Sequence, residues 1–181
     1  MNCNMNYICS YHSPLGAITL ASDGSAITGL WFDGQRYDRD TLTAQYEEKE
    51  LPVFVETTRW LDCYFKGEAP GFTPPLALNS TPFRMEVWEI LRKIPYGKTM
   101  TYGGIAKELA ARYGLVKMSA RAVGGAVGHN PISLIIPCHR VVGSNGSLTG
   151  YSGGIDKKVS LLKLEQASME TLFIPQKGTA L

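Results

Sequence analysis

Residues 135–143, Ile-Ile-Pro-Cys-His-Arg-Val-Val-Gly, set the Cys138 thiol beside the His139 imidazole at the end of an apolar run. The chemistry open to that pair is nucleophilic attack by sulfur. A free cysteine ionises at about pH 8.5, so at neutral pH it needs a neighbouring base or a positive field to become a thiolate. His139 can serve directly or through a water. A histidine does so best when a carboxylate fixes its tautomer and stabilises its cation, and Glu165 on a C-terminal helix is the candidate. Taken alone, an adjacent Cys-His pair serves structure more often than catalysis, so its surroundings decide.

The elements that must position these groups fall into two halves. Residues 7–11, 17–21 and 26–32 are β-favouring runs separated by Ser13-Pro14-Leu15-Gly16 and Asp23-Gly24, the pattern of an antiparallel meander. A polar stretch follows. Residues 57–66 then place Trp60, Leu61, Tyr64 and Phe65 on one helical face with Gly67 as a stop, and prolines 70, 74 and 75 form a linker. The second half opens with Thr81-Pro82, an N-cap and first-turn pair that leads a helix to the break at Pro95-Tyr96-Gly97. Thr101 caps a helix over 102–112, and Ser119 caps another over 120–127. Two helices on a short connection read either as a helix-turn-helix or as a plain helical hairpin. The last helix carries Gly124-Gly125 in its interior, which costs roughly 1 kcal/mol per glycine relative to alanine. With Ala122 and Ala126 these glycines make a nearly bare surface, suited to close helix packing or to close approach of a nucleic-acid backbone. The expectation is an α+β protein, with a small N-terminal antiparallel-sheet domain over 1–80 and a helical domain over 81–181.

Residues 137–141 read PCHRV. Together with Tyr96-Gly97, Tyr102, the 121–126 helix Arg-Ala-Val-Gly-Gly-Ala, Asn130-Pro131, the 150–154 loop Gly-Tyr-Ser-Gly-Gly and the 161–165 helix Leu-Leu-Lys-Leu-Glu, they resemble the O6-alkylguanine-DNA alkyltransferase family over nearly all of 82–165. Agreement over 7–80 rests on the Ser13–Gly16 turn and on Tyr64-Phe65-Lys66-Gly67. The resemblance implies a ribonuclease H-like N-terminal domain and a C-terminal winged-helix/helix-turn-helix DNA-binding element. It implies that Cys138 accepts the alkyl group irreversibly and that His139, through a water, is its base. Glu165 would orient His139, Asn130 would hold the active-site turn, and Tyr102 would donate a proton or hydrogen bond to the leaving guanine. Tyr151, Ser152 and Arg140 would contact the substrate. Arg121 would enter the base stack in place of a flipped nucleotide, with Ala122, Gly124 and Gly125 against the minor groove. Read without the family, Arg121 is equally a phosphate contact or a solvated charge, and Tyr151 and Asn130 a packing ring and a turn residue.

Bulk properties agree with a soluble globular protein: 181 residues, 44% hydrophobic, with no apolar run near the roughly 20 residues a membrane span needs. The net charge of +2 conceals an uneven division, since 95–165 hold nine Lys or Arg against three acids. A polyanion would dock there, although chance segregation gives the same sum. Four scattered cysteines fit a reducing compartment. Cys3, Cys9 and His12 could supply three metal ligands, but their spacing matches no common zinc pattern, and no metal is expected. No GxGxxG or GxxxxGK[ST] stretch occurs, so no nucleotide cofactor or external methyl donor is expected. The start of the sequence lacks the basic and apolar regions of a secretory signal. These readings predict a cytoplasmic monomer, nuclear if eukaryotic, acting on double-stranded DNA that contains O6-alkylguanine. The rival readings are a non-catalytic sensor of alkyl damage, a helix-turn-helix regulator with Cys138 as redox sensor, and a cysteine hydrolase.

Overall fold

The computed structural model describes residues 5–176. Its contacts divide the chain into two units, one comprising the sequence up to Leu78 with Pro131–Ile135, the other Asn79–Asn130 with Ile136 onward. The expected boundary at 80 left out the short return of residues 131–135 to the first unit.

In the first unit β1 (Asn6–Ser13), β2 (Gly16–Ser22) and β3 (Ile27–Phe32) form the antiparallel meander, and β4 (Tyr46–Glu48) pairs parallel with β1, giving the order β3-β2-β1-β4. That parallel strand, in the stretch read as polar and irregular, makes the sheet mixed. Buried Ile18, Leu20, Leu30 and Phe32 supply its core with Leu61 and Tyr64 of α1 (Pro52–Phe65). The helix starts five residues before the expected 57, with Pro52 at its first turn, where a missing N–H is harmless. The open edge of β3 is covered twice. Ile27 N–H donates to the Pro75 carbonyl at 2.8 Å, and Leu30 exchanges backbone bonds of 2.9 Å with Pro131 and Ser133. An exposed strand edge is a template for unwanted pairing, and this is what draws 131–133 to the sheet.

The second unit contains α2 (Pro82–Arg92), β5 (Met100–Thr101), α3 (Tyr102–Arg112), α4 (Ala120–Gly128), β6 (Val141–Val142) and α5 (Ile155–Leu164). Thr81, Thr101 and Ser119 cap α2, α3 and α4 by accepting from Arg84, Gly104 and Ala122 backbone N–H groups. Helix α4 packs on both α2 and α3, and the Trp88 indole N–H donates to the Ala126 carbonyl at 2.9 Å. Beyond α5, Leu148 N–H donates to the Phe173 carbonyl at 2.8 Å, while Met169 and Leu172 pack on Val142, Leu148, Leu162 and Ala167. The C-terminal segment, in which the sequence shows no motif, therefore straps the loop ahead of Tyr151. No helix among the described residues is long and apolar enough to cross a membrane.

Candidate active site

Pro137 makes the turn that presents the sulfur. Its φ of −81° and ψ of 65° are those of an inverse γ-turn, closed by Cys138 N–H donating to the Ile136 carbonyl at 2.8 Å, and Cys138–Arg140 follow as one 3-10 turn. Asn130, just beyond α4, holds this turn with one amide nitrogen, which donates to the Ile136 carbonyl at 2.7 Å and to Cys138 Sγ at 3.2 Å. Cys138 is buried. Burial raises its thiol pKa, while the Asn130 hydrogen bond and then the positive charge of Lys158 pull the other way.

His139 is fully buried, and its Nε2 meets Glu165 Oε1 at 2.6 Å. Burial lowers the histidine pKa even though Glu165 opposes it, so the resting imidazole is neutral and able to accept a proton. Burial pushes the Glu165 carboxyl up, but hydrogen bonds and charge from His139 and Arg140 prevail and hold it well below the ordinary carboxylate range. Gly97 N–H adds a bond of 3.0 Å to Glu165 Oε2. An ionised Glu165 thus fixes the ring and stands ready to stabilise an imidazolium.

Arg140 corrects one expectation. Its guanidinium was expected on the substrate, yet it donates through Nε and Nη2 to Glu165 at 2.9 and 3.0 Å and through Nη1 to the Ile94 carbonyl at 2.6 Å. Its residue exposure is 9%. A planar fork satisfied on both sides inside the protein positions Glu165 and does not face DNA.

Tyr102, the first residue of α3, points its hydroxyl at the Thr149 carbonyl, 3.2 Å away. Burial and then the nearby Cys138 raise its pKa, keeping the phenol a donor. Gly150, at φ +70°, is required here, because a Cβ would lie 2.7 Å from the Tyr102 hydroxyl. The following Tyr151 is buried with its ring edge-on to His139, centroids 6.3 Å apart, and Ser152 is half-buried beside it. Tyr102, Asn130, Cys138, His139 and Glu165 all belong to the second unit, with the 150–152 loop.

Helix α4 presents Arg121, Ala122 and Gly125 to solvent. A Cβ on Gly125 would meet nothing within 4 Å, and one on Gly124 would touch the Tyr102 ring at an ordinary 3.9 Å. Close packing inside the protein therefore does not account for the glycines, and a bare outward face remains. Arg112, considered for phosphate contact, is tied to Glu108 and Glu89.

Sequence reasoning missed Lys158, whose side chain is wholly buried with Nζ donating to the Val141 and Thr149 carbonyls. The signal was a lysine on the same helical face as Leu161 and Leu162. Among the described residues no group of three His, Cys, Asp or Glu could hold a metal ion, and Cys3 lies outside them.

Known proteins resemble the chain along most of its length. The family described as 6-O-methylguanine DNA methyltransferase, ribonuclease-like domain, matches residues 6–78, and the one described as 6-O-methylguanine DNA methyltransferase, DNA binding domain, matches 82–167. A methylated-DNA–protein-cysteine methyltransferase of Mycobacterium bovis is 43% identical over 155 residues, 86% of this chain and 89% of its own. One of Methanosarcina acetivorans is 44% identical over 159 residues, 88% of this chain and 97% of its own. The crystal structure of Mycobacterium tuberculosis OGT in complex with DNA shares 41% identity at a TM-score of 0.76, covering 90% of this chain and 92% of that one.

Proposed function

The chain belongs to the 6-O-methylguanine DNA methyltransferase family, and from that premise we infer how its own residues carry out alkyl transfer from DNA. The family repairs O6-alkylguanine, and Cys138 is the acceptor in this chain. The observation that carries the reading is the buried relay in which Asn130 holds the Cys138 turn and the adjacent His139 is locked to an ionised Glu165.

The step balances as follows. The Cys138 proton passes to His139 Nδ1 through a water, and Glu165 stabilises the resulting imidazolium. The thiolate attacks the alkyl carbon, the S–C bond forms and the C–O6 bond breaks, and the electron pair stays on guanine. Tyr102 donates a hydrogen bond to the departing base, which leaves as neutral guanine once protonated. A thioether has no hydrolysable bond, so each protein molecule acts once. Because a stacked guanine cannot reach a buried thiol, the nucleotide must leave the duplex, which costs a few kcal/mol. Arg121 fills the vacated place while the bare face of α4 lies in the minor groove. We further propose that O6-alkylguanine in double-stranded DNA is the substrate, with O4-alkylthymine as a possible second one, and that the protein acts as a monomer in the cytoplasm, or in the nucleus of a eukaryote.

A sensor without chemistry has no use for a held thiol, and a hydrolase or redox regulator has none for Arg121 on a bare helix. The deciding experiment is intact-protein mass after incubation with a duplex carrying one O6-methylguanine, beside an undamaged duplex and Cys138→Ala. One methylene mass on Cys138, stoichiometric and dependent on the lesion, is the expected result. DNA binding without any mass change would defeat the reading.

A further inference from the structure

Lys158 is the buried titratable group that the mechanism above does not use. It lies in the second turn of α5 with no exposed surface, and its Nζ reaches the Val141 carbonyl at 2.5 Å and the Thr149 carbonyl at 2.7 Å. Val141 follows the Cys138 turn directly, and Thr149 begins the loop that carries Tyr151 and Ser152. The Thr149 carbonyl also receives the Tyr102 hydroxyl, so one ammonium and one phenol share an acceptor. A buried ammonium is costly, and a methionine of similar length would fill the same space without that penalty. Packing alone gives no reason for a charge here.

The surrounding charges give one. From the Cys138 turn come Cys138, His139 and Arg140, from the end of α5 comes Glu165, and from α3 comes Tyr102. Arg140 and Glu165 neutralise one another at 2.9 Å, His139 rests neutral, and Tyr102 keeps its proton. The uncancelled charge in this cluster is the cation of Lys158. A thiolate at Cys138 would bring the cluster to neutrality.

We propose that Lys158 is a positioning residue for alkyl transfer, clamping the Cys138 turn to the 149–152 loop through two carbonyls and supplying the positive charge that balances the thiolate. The inference rests on Cys138 being the alkyl acceptor. Burial also pushes the Lys158 pKa down to about 8, and Cys138 opposes that fall, the reciprocal of its own effect on the thiol.

The test compares wild type, Lys158→Met, Lys158→Gln and Lys158→Arg in single-turnover methyl transfer from a saturating O6-methylguanine duplex at pH 6 to 10, with DNA affinity measured alongside. Methionine removes charge and both bonds, glutamine keeps a donor without the charge, and arginine keeps the charge. The expected result is a loss of roughly 100-fold at neutral pH for Met and Gln. DNA affinity should be unchanged, and the rise of rate with pH should move up by roughly one unit or more in both, but not in Arg. If Lys158→Met does not fold by circular dichroism, the contrast between Gln and Arg carries the test. A Gln profile that overlays wild type, or a loss that is the same at every pH, overturns the charge role. Wild-type protein that transfers no methyl group defeats the alkyl-transfer reading itself.

Discussion

Two arginines, Arg121 and Arg140, show how little a residue type says about its partner. Arg140 sits in the PCHRV motif and was expected on the substrate, but its fork is closed on Glu165 and the Ile94 carbonyl. Arg121 stands exposed in the first turn of α4. Removing one member of a buried ion pair leaves the other charge uncompensated, so Arg140→Met should lose about 3–5 kcal/mol of stability in a denaturant titration. Its effect on the salt dependence of DNA binding should be nil. Arg121→Ala should instead leave stability within about 0.5 kcal/mol, weaken DNA binding, and reduce the slope of log affinity against log salt by about one if it neutralises a phosphate. A changed salt slope in Arg140→Met would restore it to the DNA surface and remove it from the Glu165 support. The chemistry of Cys138, His139 and Glu165 was legible in the sequence because the motif names them. The direction of the Arg140 fork was not, because Ile94 and Glu165 lie 46 and 25 residues away from it.

At the scale of elements, α4 sets local stability against use. Alanine at Gly125 would meet open space, and a glycine in a helix interior costs roughly 1 kcal/mol relative to alanine. Gly125→Ala should therefore stabilise the protein by up to about 1 kcal/mol while weakening duplex binding, because the added methyl stands where a nucleic-acid backbone must approach. Thermal melts and DNA titrations on the same preparation check both halves. A variant that is stabilised and binds DNA normally would show that the bare face is not the contact. The caps at Thr81, Thr101 and Ser119 were readable because a hydroxyl bonds an N–H only two or three residues on. Strand β4 and the 169–173 strap were not, since their partners lie on distant segments and their own residues carry no periodic pattern.

For the whole molecule, the buried relay ties stability to pH. Folding lowers the pKa of His139 and of Glu165 from ordinary values of 6.5 and 4.5. Below each ordinary value the unfolded chain takes up a proton that the folded one refuses, so the unfolded state binds more protons and stability falls as pH falls. The contribution of Glu165 is present above about pH 4.5 and is lost on descending toward its folded pKa, and the neutral His139 begins to oppose folding below about pH 6.5. Melting temperature should therefore drop steadily from pH 7 to pH 4, and Glu165→Gln should flatten the lower part of that descent. A wild-type protein as stable at pH 5 as at pH 7 would contradict a buried, charge-tuned relay. The amino-acid sequence by itself determined the nucleophile, its base and carboxylate, the helix caps, the bare helix and the basic half, because each depends on residue identity or on neighbours within a few positions. Tertiary structure alone decided that Lys158 lies buried between two carbonyls, that Arg140 turns inward, and that residues 131–133 complete the edge of β3. Those outcomes require segments far apart in the chain to meet. Hydropathy assigns a lysine or an arginine to water until a specific set of distant acceptors replaces it.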